Sequence, residues 1–253
     1  MLSKTKATKV KKVSRDREQL PREGKYSLKE KAMMALEPIQ MNIKFNHAQK
    51  KLCNVITQNE ITICTGPAGV GKSATSLCRA LEYLKKSDNS YEQIIIVTPA
   101  VEADENLGFL PGSADEKMLP YLFSSFYLIE KLIGEEAANY LKSQKVITNM
   151  PLAYMRGINI DNAIVVFEEA QNCTKKQMKT FLTRIGMEAK FIISGDLEQS
   201  DKFKNVKECG LYHAMKLLEG VEGVGIFEFT KDDPNMRNVL VGRILEKYNE
   251  ELA

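Results

Sequence analysis

Eight consecutive residues, Gly66-Pro67-Ala68-Gly69-Val70-Gly71-Lys72-Ser73, limit what this chain can fold into more than any other stretch. They follow a short apolar run, Ile61-Thr62-Ile63-Cys64. They precede a segment with Leu77, Ala80, Leu81 and Leu84 at i, i+3, i+4 and i+7. The pattern predicts a strand, a glycine-rich turn and an amphipathic helix. With the spacing G-x-x-x-x-G-K-S the backbone curls so that its N–H groups converge on phosphate oxygens, and the helix turns its positive end toward the same anion. Lys72 is placed to reach the β- and γ-phosphates of ATP, and the Ser73 hydroxyl to bind Mg2+. All eight residues are therefore predicted to bind nucleotide.

The rest of the chain repeats the alternation of apolar run and helix. Residues 27–36 read as a short helix with Ser27 as N-cap and Glu30 three residues on, and residues 46–58 as a second. Strands are expected at 94–97, 146–148, 164–167, 191–194 and 224–229. Further helices are expected at 121–142 (broken near Gly134), 174–185, 209–219 and 236–251. Residues 100–120, with Gly108, Pro111, Gly112 and Pro120, read as irregular. Strands without polar alternation fit a sheet buried on both faces, so the predicted class is α/β, a mostly parallel sheet flanked by helices. In such sheets ligands sit at the carboxyl ends of strands.

The residues that follow the apolar runs are those with chemistry to offer. Ile164 to Phe167 delivers Glu168-Glu169. Glu168 is the expected Mg2+-side acid, and Glu169 the carboxylate that orients or deprotonates an attacking water. Phe191 to Ser194 delivers Gly195-Asp196-Leu197-Glu198-Gln199, in which Gln199 is placed to sense the γ-phosphate.

With those residues in place, the chain resembles the PhoH family of P-loop ATPases, related to superfamily 1 helicases. The resemblance runs over about residues 40–248. It is carried by Gly66 to Ser73, Pro99-Ala100-Val101-Glu102-Ala103, Leu107-Gly108-Phe109-Leu110-Pro111-Gly112 and Pro151-Leu152-Ala153-Tyr154-Met155-Arg156-Gly157. Glu169-Ala170-Gln171-Asn172, Gln177-Met178-Lys179 and Gly195-Asp196 with Gln199 and Asp201 add to it. The resemblance implies a RecA-like core, ATP hydrolysis and, for some members, RNA unwinding. It implies that Gln49 reads the adenine edge and that Arg237 is a catalytic finger. Three positions depart from the family pattern. Glu168 stands where an Asp is usual, Thr98 meets Pro99 without the usual intervening arginine, and Asp233 to Arg237 matches loosely.

Charge bears on partners. Residues 1–25 hold nine Lys/Arg against three acids, although the whole chain carries only +3. This tail reads as a solvated, disordered arm or as a phosphate-binding arm for nucleic acid. Residues 26–253 read as a single ATPase domain. One RecA-like core leaves the γ-phosphate side open, so a homo-oligomer, a ring among the options, is expected to supply an arginine. Arg156, Arg184 and Arg237 are the candidates. RNA or another single strand is expected along the tail and loops 100–120 and 151–160, with Tyr154 offered for stacking. Five cysteines without C-x-x-C predict buried, reduced thiols. The absence of an apolar run long enough for a membrane span, and of a secretory or transit signature in this sequence, points to the cytoplasm. Two other classes stay open. One is a nucleotide-dependent switch or assembly factor that ignores nucleic acid. The other is a small-molecule kinase, disfavoured by the Gly195–Gln199 element and the lack of an arginine-rich lid.

Overall fold

The computed structural model describes residues 26–41, 43–99, 114–200 and 202–236, together with Leu240, Ile244 and Lys247. The basic tail, residues 100–113, Asp201, Arg237 and most of the expected C-terminal helix lie outside the described residues. Leu240, Ile244 and Lys247 are helical.

Six strands form one sheet: β1 (Ile61–Thr65), β2 (Gln93–Thr98), β3 (Ile147–Pro151), β4 (Ala163–Phe167), β5 (Lys190–Gly195) and β6 (Val224–Glu228). Their order is β3-β2-β4-β5-β1-β6, and every neighbouring pair is parallel. The α/β class expected from the sequence is the one observed, with all six strands parallel.

Alternate residues of each strand feed opposite faces. Cys64, Ile94, Ile96, Ile164, Val166 and Ile192 pack into one apolar cluster with side chains of α1 (Leu28–Leu36), α2 (His47–Gln58), α3 (Lys72–Lys85), α4 (Ala114–Ile133) and α5 (Glu135–Ser143). Ile63, Ile95, Val97, Val165, Phe167, Phe191 and Ile193 pack into the other with α6 (Lys175–Leu182) and α7 (Gly210–Leu217). There Phe181 of α6 lies between Phe167 and Phe191, with ring centroids 4.6 and 4.9 Å away. Each such fully buried side chain stabilises the fold by about 1.5–3 kcal/mol over its exposed state.

Local signals set the helix ends. Capping boxes close α1 (Ser27 with Glu30), α2 (Asn46 with Gln49) and α6 (Thr174 with Gln177). The predicted break near Gly134 is real, with Gly134 at φ 85° between α4 and α5. One expectation is corrected: residues 114–120 are not irregular but form the first turns of α4, with Pro120 inside the helix. Proline there removes one backbone hydrogen bond, and the many further bonds of a 20-residue helix absorb the loss. Of the cysteines, Cys64, Cys78, Cys173 and Cys209 are buried and Cys53 is half-buried. Burial pushes the Cys64 and Cys78 thiols up to about 12. Among the described residues no helix is long and apolar enough to cross a membrane.

Candidate nucleotide site

The sheet brings the predicted residues to one edge. Thr65 of β1 stands level with Gly195 of β5, and Phe167 of β4 with Ile193. The turns that leave β1, β4 and β5 at their carboxyl ends therefore emerge side by side. Between them lies a cavity of about 270 Å³. Ala68, Gly69, Gly71, Lys72, Ser73, Glu169, Asp196 and Gln199 line it, with Leu128 and Met236.

The loop after β1 has all its carbonyls tied. Lys72 Nζ donates to Gly66 O (2.6 Å) and Pro67 O (2.9 Å). Asn235 Nδ2 donates to Ala68 O (3.2 Å), Met236 N to Gly69 O (2.8 Å) and Gln49 Nε2 to Val70 O (2.9 Å). Thr75 N closes the series on Gly71 O (2.9 Å). In a trans peptide the N–H points opposite to the C=O, so the N–H groups of residues 68–72 are directed away from these partners. Gly69 (φ 88°) and Gly71 (φ 89°) make this path possible. A Cβ on Gly69 would run into the Asn235 side chain, and one on Gly71 into the Gln49 amide. Gly71 is the N-cap of α3 and carries no side chain to cap it. Its first amides are left for an anion, unlike those of α1, α2 and α6.

Gln49 is buried at 4% exposure. Besides its bond to Val70 O, its Oε1 accepts from Asn46 N (3.0 Å) within the α2 capping box. It thus fixes the loop from behind. One amide hydrogen and one oxygen lone pair remain for a second partner.

The structure brings Glu168 and Ser73 within hydrogen-bonding reach of each other. The Glu168 carboxylate is buried, and its Oε2 accepts a hydrogen bond from Ser125 Oγ of α4. Burial pushes its pKa up, hydrogen bonds from Ser125 and Ser73 oppose that, and the neighbouring Glu169 charge adds to the rise. Glu168 Oε1 is buried with no hydrogen-bond partner among the described residues. An orphaned carboxylate oxygen next to a serine hydroxyl fits the hard oxygen donors that Mg2+ prefers.

Glu169 points the other way and is exposed in the cavity wall. Its backbone is left-handed (φ 53°, ψ 33°), a conformation that costs a non-glycine residue about 1–3 kcal/mol. The strain is held by Gln171, which enters the sequence pattern only as one member of a longer string. Gln171 Nε2 donates to Glu169 Oε2 (2.7 Å) and to Gln199 O (3.3 Å), while its Oε1 accepts from Asp196 N (3.1 Å). A Cβ on Gly195 would approach Gln171 Oε1 to 2.7 Å and Leu211 Cδ2 to 2.5 Å, so glycine there admits the bridge. Gln171 and Ser125 are thus site residues that the sequence does not single out. Gln199 lines the cavity with its side chain exposed.

The arginine candidates separate. All three guanidinium nitrogens of Arg184 bond within its own surroundings, to Thr180 O (3.2 Å), Ile158 O (3.2 Å) and Thr183 Oγ1 (3.1 Å). Arg156 lines a different groove, at the end of β3. Arg237 lies outside the described residues, directly after Met236, whose N–H holds Gly69 O.

A family model described as PhoH-like protein matches residues 42–249. A PhoH-like protein of Bacillus subtilis (strain 168) is 39% identical over 203 residues, covering 80% of this chain and 62% of that protein. Protein PhoH of Escherichia coli (strain K12) is 37% identical over 206 residues, covering 81% of this chain and 57% of that protein. The chain therefore spans about three-fifths of the length of the curated relatives it matches. Among solved structures, the large terminase of a thermophilic bacteriophage shares the fold with a TM-score of 0.51 at 13% identity, over 81% of this chain and 50% of that one. The tied phosphate loop, the acidic pair after β4 and the match across 42–249 agree: the chain belongs to the PhoH-like protein family.

Proposed function

We propose that this chain is a Mg2+-dependent ATPase whose turnover is coupled to binding or remodelling RNA or another single-stranded nucleic acid, and that it works as a homo-oligomer. The observation that carries the reading is the loop 66–71. Its six carbonyls are held outward around an uncapped helix start, opposite Glu169 and Gln199 across one cavity. This arrangement suits a triphosphate better than any uncharged ligand.

In this reading Lys72 leaves the Gly66 and Pro67 carbonyls for the β- and γ-phosphates. Ser73 and Glu168 would hold Mg2+, which would supply positive charge against that developing on the phosphoryl group. Glu169 orients the attacking water and accepts its proton. Gln199 meets the γ-phosphate, and the Gln171 bridge transmits its loss to the loop 196–200. Gln49 contributes its remaining amide edge to the adenine. Arg237 of a neighbouring copy completes the charge around the γ-phosphate. The cytoplasm is the compartment in which ATP, Mg2+ and reduced cysteines would occur together.

Steady-state ATP hydrolysis with and without single-stranded RNA tests the reading. Mg2+-dependent turnover that rises with RNA and disappears in Lys72→Ala is expected. Lack of ATP retention in the presence of Mg2+ would overturn it.

The Gln171 bridge favours a second reading, a nucleotide-dependent switch that recruits a protein. Its two ends join the acidic turn to the loop after β5, so γ-phosphate occupancy is converted into loop position. Hydrolysis indifferent to RNA, with no RNA bound at low salt, would select it.

A further inference from the structure

A second groove, of about 410 Å³, opens on the α6 side of the sheet at the carboxyl end of β3. Arg156, from just after the 3-10 turn Leu152–Met155, lines it together with Lys176 of α6 and Lys202 from beyond β5. These three cations come from three separate chain segments, and among the described residues no carboxylate lines the groove. Thr174, Gln177 and Thr180 add neutral polar groups to its wall. All three cations are exposed, so their charges are ready for a ligand and not spent on the fold. Tyr154, on the same 3-10 turn as the groove residue Ala153, is 62% exposed.

We propose that this groove is where a single-stranded nucleic acid lies, with Arg156, Lys176 and Lys202 on successive phosphates and Tyr154 stacked on a base. The proposal rests on the functional reading above and gives the strand a place. An anion-lined partner of any kind would suit the cations. A single strand alone supplies, at short repeat, both phosphates and flat π faces, and the groove cations together with Tyr154, beside the lining residue Ala153, offer partners for both. The position also gives the strand a route to the chemistry. Helix α6 is entered through the 3-10 turn Ala170–Asn172, whose N-cap is Glu169 and whose central residue is Gln171. A strand held by Lys176 is therefore one short turn of chain from the carboxylate and the amide that align the water. The surface differs from the basic tail, so the two contributions can be separated.

Fluorescence anisotropy of a labelled twelve-residue oligouridine with the full chain tests the proposal. The variants are Arg156→Ala, Lys176→Ala, Lys202→Ala, the triple charge reversal R156E/K176E/K202E, Tyr154→Leu and Tyr154→Phe. Thermal melting of each confirms that the variant folds. Removing one cation should lower the magnitude of the log-affinity versus log-salt slope by about 0.7. Tyr154→Leu should weaken binding by about fivefold or more at fixed salt, and Tyr154→Phe should retain it. The triple reversal should remove the groove's contribution and leave at most the weak, salt-sensitive binding of the tail. Wild-type chain that binds and is stimulated by the RNA, while the folded triple reversal behaves identically, overturns the groove and leaves the ATPase reading standing. Wild-type chain that neither binds the RNA nor responds to it overturns the nucleic-acid reading itself. Polyglutamate that displaces the RNA at equal charge concentration, with Tyr154→Leu silent, makes the groove an acidic-protein surface and also overturns the proposal.

Discussion

The amide of Gln171 lies 2.7 Å from the Glu169 carboxylate and 3.3 Å from the Gln199 carbonyl, so one side chain ties the turn after β4 to the turn after β5. The tie holds Glu169 in its left-handed backbone. Gln171→Ala should lower kcat by about 10- to 100-fold, the scale of losing one or two buried hydrogen bonds in the transition state. KM for ATP should change little, because the phosphate loop does not touch Gln171. Single-turnover hydrolysis beside an equilibrium nucleotide-binding measurement separates the two effects.

Glu168 is buried with one carboxylate oxygen on Ser125 and the other without a partner among the described residues. Glu168→Gln keeps the shape and removes the charge. It should raise the Mg2+ concentration for half-maximal hydrolysis by about tenfold or more, as loss of one anionic oxygen ligand implies. Glu168→Asp, one methylene shorter, should draw away from Ser125 and keep the metal response. A Mg2+ titration of the three proteins checks both outcomes.

Lys190 opens β5 at the far end of the sheet, 5% exposed, with its ammonium on the Ile56 carbonyl (2.7 Å) and on that of Asn59. Burial lowers its pKa to about 8. Between about pH 8 and pH 10.4 the unfolded chain therefore binds the proton that the folded chain releases, and stability rises with pH. Chemical denaturation of wild type and Lys190→Met across about pH 7.5–10 should show the wild type gaining about 1–2 kcal/mol on the variant. A flat difference would mean that the ammonium stays charged on its two carbonyls.

Arg237 follows directly on Met236, which is pinned to the phosphate loop. If it acts across a subunit boundary, Arg237→Ala and Lys72→Ala chains should be inactive separately and regain hydrolysis when mixed. In a mixed assembly some sites carry an intact loop facing an intact arginine, and a finger contributes about 10³–10⁵ in rate. Strictly additive loss on mixing assigns the arginine to its own subunit or to no finger role.

Sequence reading reaches the parts of the site that are written contiguously. Gly66 to Ser73 declares itself, and the apolar runs before Gly66, Glu168 and Gly195 name the strands whose ends meet. Parts assembled by tertiary packing stay hidden. Ser125 is 43 residues from Glu168, on a helix whose first turns carry Pro120 and so read as loop. Gln171 stands within a recognisable string, but its bridging role depends on β5 lying beside β4, which no local pattern states. The hold of Asn235 and Met236 on the loop spans more than half the chain. Arg184 shows the converse: its residue type suggests a finger, and its three nitrogens serve the local backbone and Thr183.

The anchored carbonyls of residues 68–71 have a thermodynamic consequence. A turn this rich in glycine would ordinarily surrender much conformational freedom when an anion arrives. Here most of that freedom is already given up when the polypeptide collapses, so beyond the release of Lys72 the turn needs little rearrangement to receive its guest. Discrimination among polyphosphates then depends on rigid complementarity and not on adaptation, and any change that loosens Gln49 or Asn235 should appear as weaker affinity for every guest alike.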